Sequence, residues 1–170
     1  GGTLRMTFGE NRREKKPRSL MARGLDALAR REYSRDELYR KLTYSLTEDE
    51  TPDDVADVIA DLEKKGYLSN ERYAAGRVRT RAMRYGNRRL AAELRQQGVE
   101  TEAIAEALAD AEPEIDRARA VWNRKFGEAP LDYHEKCKQV RFLAARGFSF
   151  DIINKVLAEA GDRTENIEEC

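Results

Sequence analysis

Arg77, Arg81 and Arg84 recur at i, i+4 and i+7, a spacing that lines three guanidinium groups along one ridge of a helix. A guanidinium is permanently charged and matches carboxylates and phosphates with a planar fork of donors. Ala74, Val78 and Ala82 form the adjacent apolar stripe, so one face can pack while the ridge stays free. Arg72 and Arg79 project elsewhere, and Arg88, Arg89 and Arg95 carry the charge into the next helix. A second set follows: Lys138, Arg141 and Phe142 turn away from an apolar line of Cys137, Val140, Ala144 and Gly147, with Arg146 beside them. An aromatic ring among cations suits a partner anchor or a stacked base. Two plainer readings stand beside this one. Individual arginines can pair with neighbouring acidic helices, and Phe142 can tuck into an adjoining repeat.

Residues for catalysis are scarce. His134 is the only histidine, next to Tyr133 at a helix start, where a solvated ring is expected. Arg84-Tyr85-Gly86-Asn87 reads as a turn, and no glycine-rich loop could cradle a phosphate. No serine or cysteine has a base nearby in sequence. The expectation is a protein that is not an enzyme and uses no metal or cofactor. Cys137 and Cys170 have neither metal-ligand spacing nor a disulfide framework. Cys137 is expected to be a small core residue and Cys170 a free terminal thiol. With no run of roughly 18 apolar residues and no secretory signal, a cytoplasmic address is expected.

The charge is sorted along the chain. Charged residues make up 38% of the 170 and cancel to a net charge of zero, against about 25% in an average globular protein. Glu48 to Glu63 holds acids and no bases, as does Glu100 to Asp116; between them, Arg72 to Arg95 contains eight arginines and one acid, Glu93. A neutral total hides a basic centre, which favours binding to an acidic protein surface or to phosphates.

Helices must position these groups. Leu62, Leu94 and Leu143 each stand four residues before a glycine, Gly66, Gly98 or Gly147. A glycine there can adopt the left-handed conformation that ends a helix. Tyr67, Val99 and Phe148 would fold back on the last turn, and Ser69, Thr101 and Ser149 would cap the next helix. Ser34-Arg35-Asp36-Glu37 has capping-box spacing, and Pro52 suits a first turn. Leu25, Leu28 and Ala29 should face inward on the first helix. The pattern gives an all-α fold of about nine short helices, with the fourth over about 69–84, the fifth 87–97, the sixth 101–111, the eighth 133–145 and the ninth 149–160. Pro113 opens the seventh, which includes Val121, Trp122 and Phe126. Grouped in threes, they form tandem three-helix repeats over 19–68, 69–111 and 112–161. Each is too small to bury a core alone, so they should stack into an elongated, curved array. A basic arm (1–18, with Gly1 to Arg5 reading as a cloning remnant ahead of Met6) and a frayed acidic tail (162–170) flank them.

Four segments in order, LARREYSRDELYRKL (Leu28–Leu42), LEKKGYLSNERYA (Leu62–Ala74), YGNRRLAAELRQQGV (Tyr85–Val99) and RFLAARGFSFDIINKVL (Arg141–Leu157), resemble the RecX family of regulatory proteins. The resemblance runs from about Leu20 to Ala160; the acidic stretch Thr47–Asp54 is longer than in many members. It implies tandem three-helix repeats with no enzymatic activity, binding in the groove of the RecA–DNA filament and inhibiting ATP hydrolysis and strand exchange. The RecA filament is then the partner, with weak binding to single- or double-stranded DNA, no membrane, and a monomeric chain. The contact surface is expected at Arg77, Arg81, Arg84, Arg88, Arg95, Lys138, Arg141, Phe142 and Arg146. A nucleic-acid-binding repeat that works without RecA, and a helical scaffold, are the alternatives.

Overall fold

The structure, a computed structural model, describes residues 18–164 and 170. The basic arm and cloning remnant expected before Arg18, and tail residues 165–169, lie outside the described residues. Among the described residues there are nine helices and no strand: α1 (Leu20–Arg30), α2 (Arg35–Tyr44), α3 (Pro52–Lys64), α4 (Asn70–Arg81), α5 (Asn87–Gln96), α6 (Thr101–Ala109), α7 (Glu114–Lys125), α8 (Tyr133–Ala145) and α9 (Phe150–Glu159). None is long and apolar enough to cross a membrane. Within each triplet the first and third helices pack most extensively: α1 on α3, α4 on α6, α7 on α9.

Three separate cores result. Leu38, Leu42, Val55 and Leu62 centre the first, Ala74, Leu90, Leu94 and Ile104 the second, and Leu143, Phe148, Ile153 and Leu157 the third. Each fully buried leucine contributes roughly 1.5–3 kcal/mol, which makes thin cores workable only when neighbours also shield one another. Ala29 is exposed; Gly24 and Ala27 share the buried face of α1 with Leu20. A Cβ on Gly24 would fall 2.9 Å from Leu62 Cδ1, so any larger residue there makes that buried side chain shift.

The helix ends follow local chemistry. Ser34 and Glu37 form a reciprocal capping box, as do Thr51 and Asp54 ahead of Pro52. Gly66, Gly98 and Gly147 take φ of +83°, +78° and +95°. The carbonyls of Leu62, Leu94 and Leu143 accept from the N–H groups of Tyr67, Val99 and Phe148 at 3.0, 3.0 and 3.2 Å. Two details differ from expectation. Tyr67 points to solvent and Leu68 is the buried lid of the first joint, because that joint links two triplets and the chain must turn towards the next one. Thr101 lies inside α6 and Glu100 takes the N-cap position without a side-chain cap bond. The Glu100 carboxylate instead receives Arg35 and the Asn70 Nδ2 amide (3.0 Å) from outside its own helix pair.

The cysteines differ from expectation in part: Cys137 is buried as expected, but it is not unpaired. Cys137 and Cys170 are joined in a disulfide with their Cα atoms 5.0 Å apart, so neither is free. The tail expected to fray is held at its start. Lys136 Nζ pairs with Asp162 at 3.1 Å and donates to the Thr164 carbonyl at 2.8 Å.

Candidate partner-binding groove

The fourth helix stops at Arg81, three residues short of the expected end. Residues 82–85 form a turn, and Gly86 then meets the third triplet: its N–H donates to the Arg146 carbonyl at 2.8 Å, and that of Arg88 to Gly147 at 3.1 Å. A Cβ on Gly86 would collide with the Gly147 backbone, so this approach excludes any other residue. The turn is fastened from beneath by Arg117 of α7, only 4% exposed. Its guanidinium donates to the carbonyls of Glu112 (2.9 Å), Ala82 (3.1 Å) and Tyr85 (2.9 Å) and to Asn87 Oδ1. Burial pushes its pKa down, with Glu114 and Glu112 acting the other way.

This junction opens a groove of ≈ 740 Å³ between triplets two and three. Arg84, Arg124, Lys125 and Arg146 supply its charge, Tyr85 and Phe142 its rings, and Thr80 and Met83 its rim. Met83 is 68% exposed. The rings are dressed with cations. Arg81, Arg89 and Arg146 stand 4.6, 4.1 and 5.5 Å from the Tyr85 centroid, and Lys125 and Arg146 stand 5.3 and 5.0 Å from that of Phe142. Phe126 meets Phe142 edge-on at 5.4 Å and fixes its plane. Arg124 donates to the Met83 carbonyl at 2.9 Å, tying α7 to the turn. Among the described residues, none of Arg84, Arg124, Lys125 and Arg146 forms an ion pair. Four unpaired like charges repel one another and focus a potential that favours an anionic occupant.

The arginine ridge does not survive as one surface. Arg77 is exposed and lines a smaller hollow of ≈ 250 Å³ with Tyr73 and Gln97. Arg81 is half-buried in a two-pronged pair with Glu93, at 2.8 and 2.6 Å. Those bonds raise its pKa. For Glu93, burial opposes ionisation, but Arg81 and then Arg89 outweigh it and hold the carboxyl below its ordinary value. Arg84 sits beyond the helix and faces the groove. Of the nine expected residues, the groove gathers Arg84, Phe142 and Arg146. Arg88, Arg95, Lys138 and Arg141 are exposed outside its lining.

Tyr85, Met83, Arg124 and Lys125 were not anticipated. The signal for Tyr85 was its place in MRYGNRR, an aromatic between arginines; for Lys125 it was i+4 from buried Val121, which sets it at the rim of that face. Arg117 shares the face of Val121 by the same spacing, so a buried arginine was readable there, but its acceptors were not. No cluster of metal-ligating residues occurs among the described residues.

Stacked three-helix modules define a class of helical-repeat proteins. Family models for the second and third three-helix domains of RecX match residues 69–108 and 112–157. The "Regulatory protein RecX" of Ralstonia nicotianae is 43% identical over 147 residues, 86% of this chain and 91% of that one. That of Herbaspirillum seropedicae is 44% identical over 85% and 92% of the two chains, and that of Neisseria meningitidis serogroup A 37% over 91% and 98%. The chain belongs to the RecX family of regulatory proteins. The crystal structure of RecX from Lactobacillus salivarius superposes with a TM-score of 0.65 at 20% identity, covering 83% of this chain and 96% of that one. A second crystal structure of regulatory protein RecX gives 0.67 at 22% identity, over 81% and 70%. At these identities the likeness concerns the fold.

Proposed function

We propose that this chain suppresses the recombinase RecA by binding the assembled RecA–DNA filament, inhibiting ATP hydrolysis and strand exchange. Family membership motivates the target. The observation that carries the surface is the groove between triplets two and three, where Arg84, Arg124, Lys125 and Arg146 converge with no ion pair among the described residues. An anionic stretch of the filament, carboxylate or phosphate, neutralises them, while Phe142 flanks Lys125 and Arg146 and Tyr85 flanks Arg146. The protein acts by occupancy: it uses no cofactor, catalyses nothing itself, and works as a monomer in the cytoplasm, where the filament forms.

The same cations favour a second reading, a nucleic-acid-binding repeat that acts without RecA, because phosphates match them equally well. Co-sedimentation separates the two. RecA filaments on single-stranded DNA should capture the chain at salt concentrations where naked DNA, single- or double-stranded, releases it. A net charge of zero gives little long-range attraction to DNA alone. Equal capture by naked DNA across the salt range would overturn the RecA reading and favour the second.

A further inference from the structure

The two junctions of the array are fastened by different means. At the second, between triplets two and three, backbone meets backbone. The Gly86 and Arg88 N–H groups donate to the carbonyls of Arg146 and Gly147 at 2.8 and 3.1 Å, and what a Cβ on Gly86 would strike is the Gly147 main chain itself. Arg117 of triplet three, buried beneath the turn, holds the Ala82 and Tyr85 carbonyls of triplet two. The Asn87 N–H donates to Glu114 at 2.6 Å. The backbone pair is neutral and Arg117 is out of solvent, so added salt does little to either.

At the first junction, no backbone–backbone hydrogen bond crosses from triplet one to triplet two among the described residues. Side chains make the contact. Arg35 pairs with Glu100, and Arg72 with Glu32 at 3.1 Å. The side chains of Arg35 and Glu100 are 38% and 40% exposed, those of Arg72 and Glu32 48% and 44%. Arg40 donates to Gln97 at 2.7 Å, and the Arg35 N–H to Asn70 Oδ1 at 2.8 Å. Gly98 meets the Asp36 side chain, where Gly86 meets a main chain. The apolar cores on the two sides are separate clusters. Ion pairs at such exposure are individually weak and are screened by salt.

We propose that triplets two and three form one rigid body, and that triplet one is joined to it by a hinge at Ser69 which ionic side chains hold shut. Ser69 is the one residue between Leu68, buried in the first core, and Asn70, where α4 begins. A hinge needs only a few such positions at the end of an element to absorb a change of angle. Opening it breaks the side-chain ties and no main-chain pair. The groove is lined only by residues of triplets two and three, so a swing of triplet one alters the reach of the array and leaves the groove as it is.

The test uses the full chain with spin labels, carried on non-canonical residues, at the exposed positions Ala60, Ala105 and Ala158 of α3, α6 and α9. Double electron–electron resonance reads Ala60–Ala105 across the first junction and Ala105–Ala158 across the second. Raising salt from about 0.1 M to about 1 M cuts the screening length from about 10 Å to about 3 Å. The first distance distribution should then broaden and shift by several ångströms, while the second stays as it was. Glu32→Gln with Glu100→Gln should reproduce the broadening at the lower salt with helix content unchanged. A first distribution that stays narrow at both salts overturns the hinge. A second distribution that widens as much as the first overturns the rigid body. A folded double variant that stays narrow overturns the ionic clasp. If the double variant loses helix content, Glu32→Gln alone is measured against the same wild-type series, with a smaller broadening expected and none overturning the clasp.

Discussion

Replacing Arg117 with methionine keeps much of the side-chain volume and removes every donor. Three backbone carbonyls then lose the partner they have in this structure: Glu112, just ahead of α7, and the pair Ala82 and Tyr85 in the turn. Leaving a buried carbonyl unsatisfied costs about 1–3 kcal/mol, so the pair sets a ceiling of roughly 2–6 kcal/mol. Taking a cation out of a site that burial makes unfavourable for it returns part of this. The net expectation is a loss of about 2–4 kcal/mol, or roughly 4–16 °C in melting temperature for a chain of this size. Urea and thermal denaturation followed by circular dichroism measure it. Arg117→Lys keeps the charge but has no planar fork to span four acceptors, so it should recover only a minor part. A methionine variant within about 0.5 kcal/mol of wild type, which is the range of an inconsequential surface change, would refute the fastening role. A lysine variant of full stability would show that charge, not the fork, is what counts.

Two further outcomes follow from the joints and the ion pairs. Gly66→Ala and Gly98→Ala both force an L-residue to positive φ, costing about 1–2 kcal/mol, but a Cβ at 66 meets open space while one at 98 strikes Asp36. Gly98→Ala should therefore be the more destabilising by about 1 kcal/mol or more in chemical denaturation; equal losses would deny the tight docking of triplet one on triplet two. Glu93 has a carboxyl pKa lower in the folded protein than its ordinary 4.5. Its stabilisation is complete above that value and is lost as pH falls through the folded one. The wild type should shed about 1 kcal/mol more stability than Glu93→Gln on acidification from about pH 5 to about pH 3; parallel acid-unfolding curves would contradict this.

The joints were legible because their chemistry is local. Leu-x-x-x-Gly followed by an apolar residue specifies a left-handed stop whatever surrounds it, and three of them set the all-helical, modular fold. What failed was decided at a distance. Thr101 lost the cap to Glu100 because Glu100 serves Arg35 and Asn70, residues 65 and 30 positions away. Arg81 left the ridge because Glu93 on the next helix takes its fork. Arg84 and Arg124 meet only when α7 packs beneath the α4–α5 turn, and Arg117 reaches carbonyls 35 and 32 residues back. The cysteines are 33 residues apart and come together only because the tail returns to α8. Residue type marked the second and third triplets as basic; only packing selected which cations share a groove.

The central question is whether the groove is the inhibitory surface. The direct measurement is RecA-driven ATP hydrolysis on single-stranded DNA, titrated with wild type, with Arg84→Glu/Arg124→Glu, and with Lys41→Glu/Lys64→Glu on triplet one as a control for charge alone. The wild type and the control should inhibit at similar concentrations, while the groove variant, folded by circular dichroism, should need about tenfold more or worse. A folded wild type that leaves a cognate RecA uninhibited would contradict the proposed function; a groove variant as potent as wild type would contradict the surface.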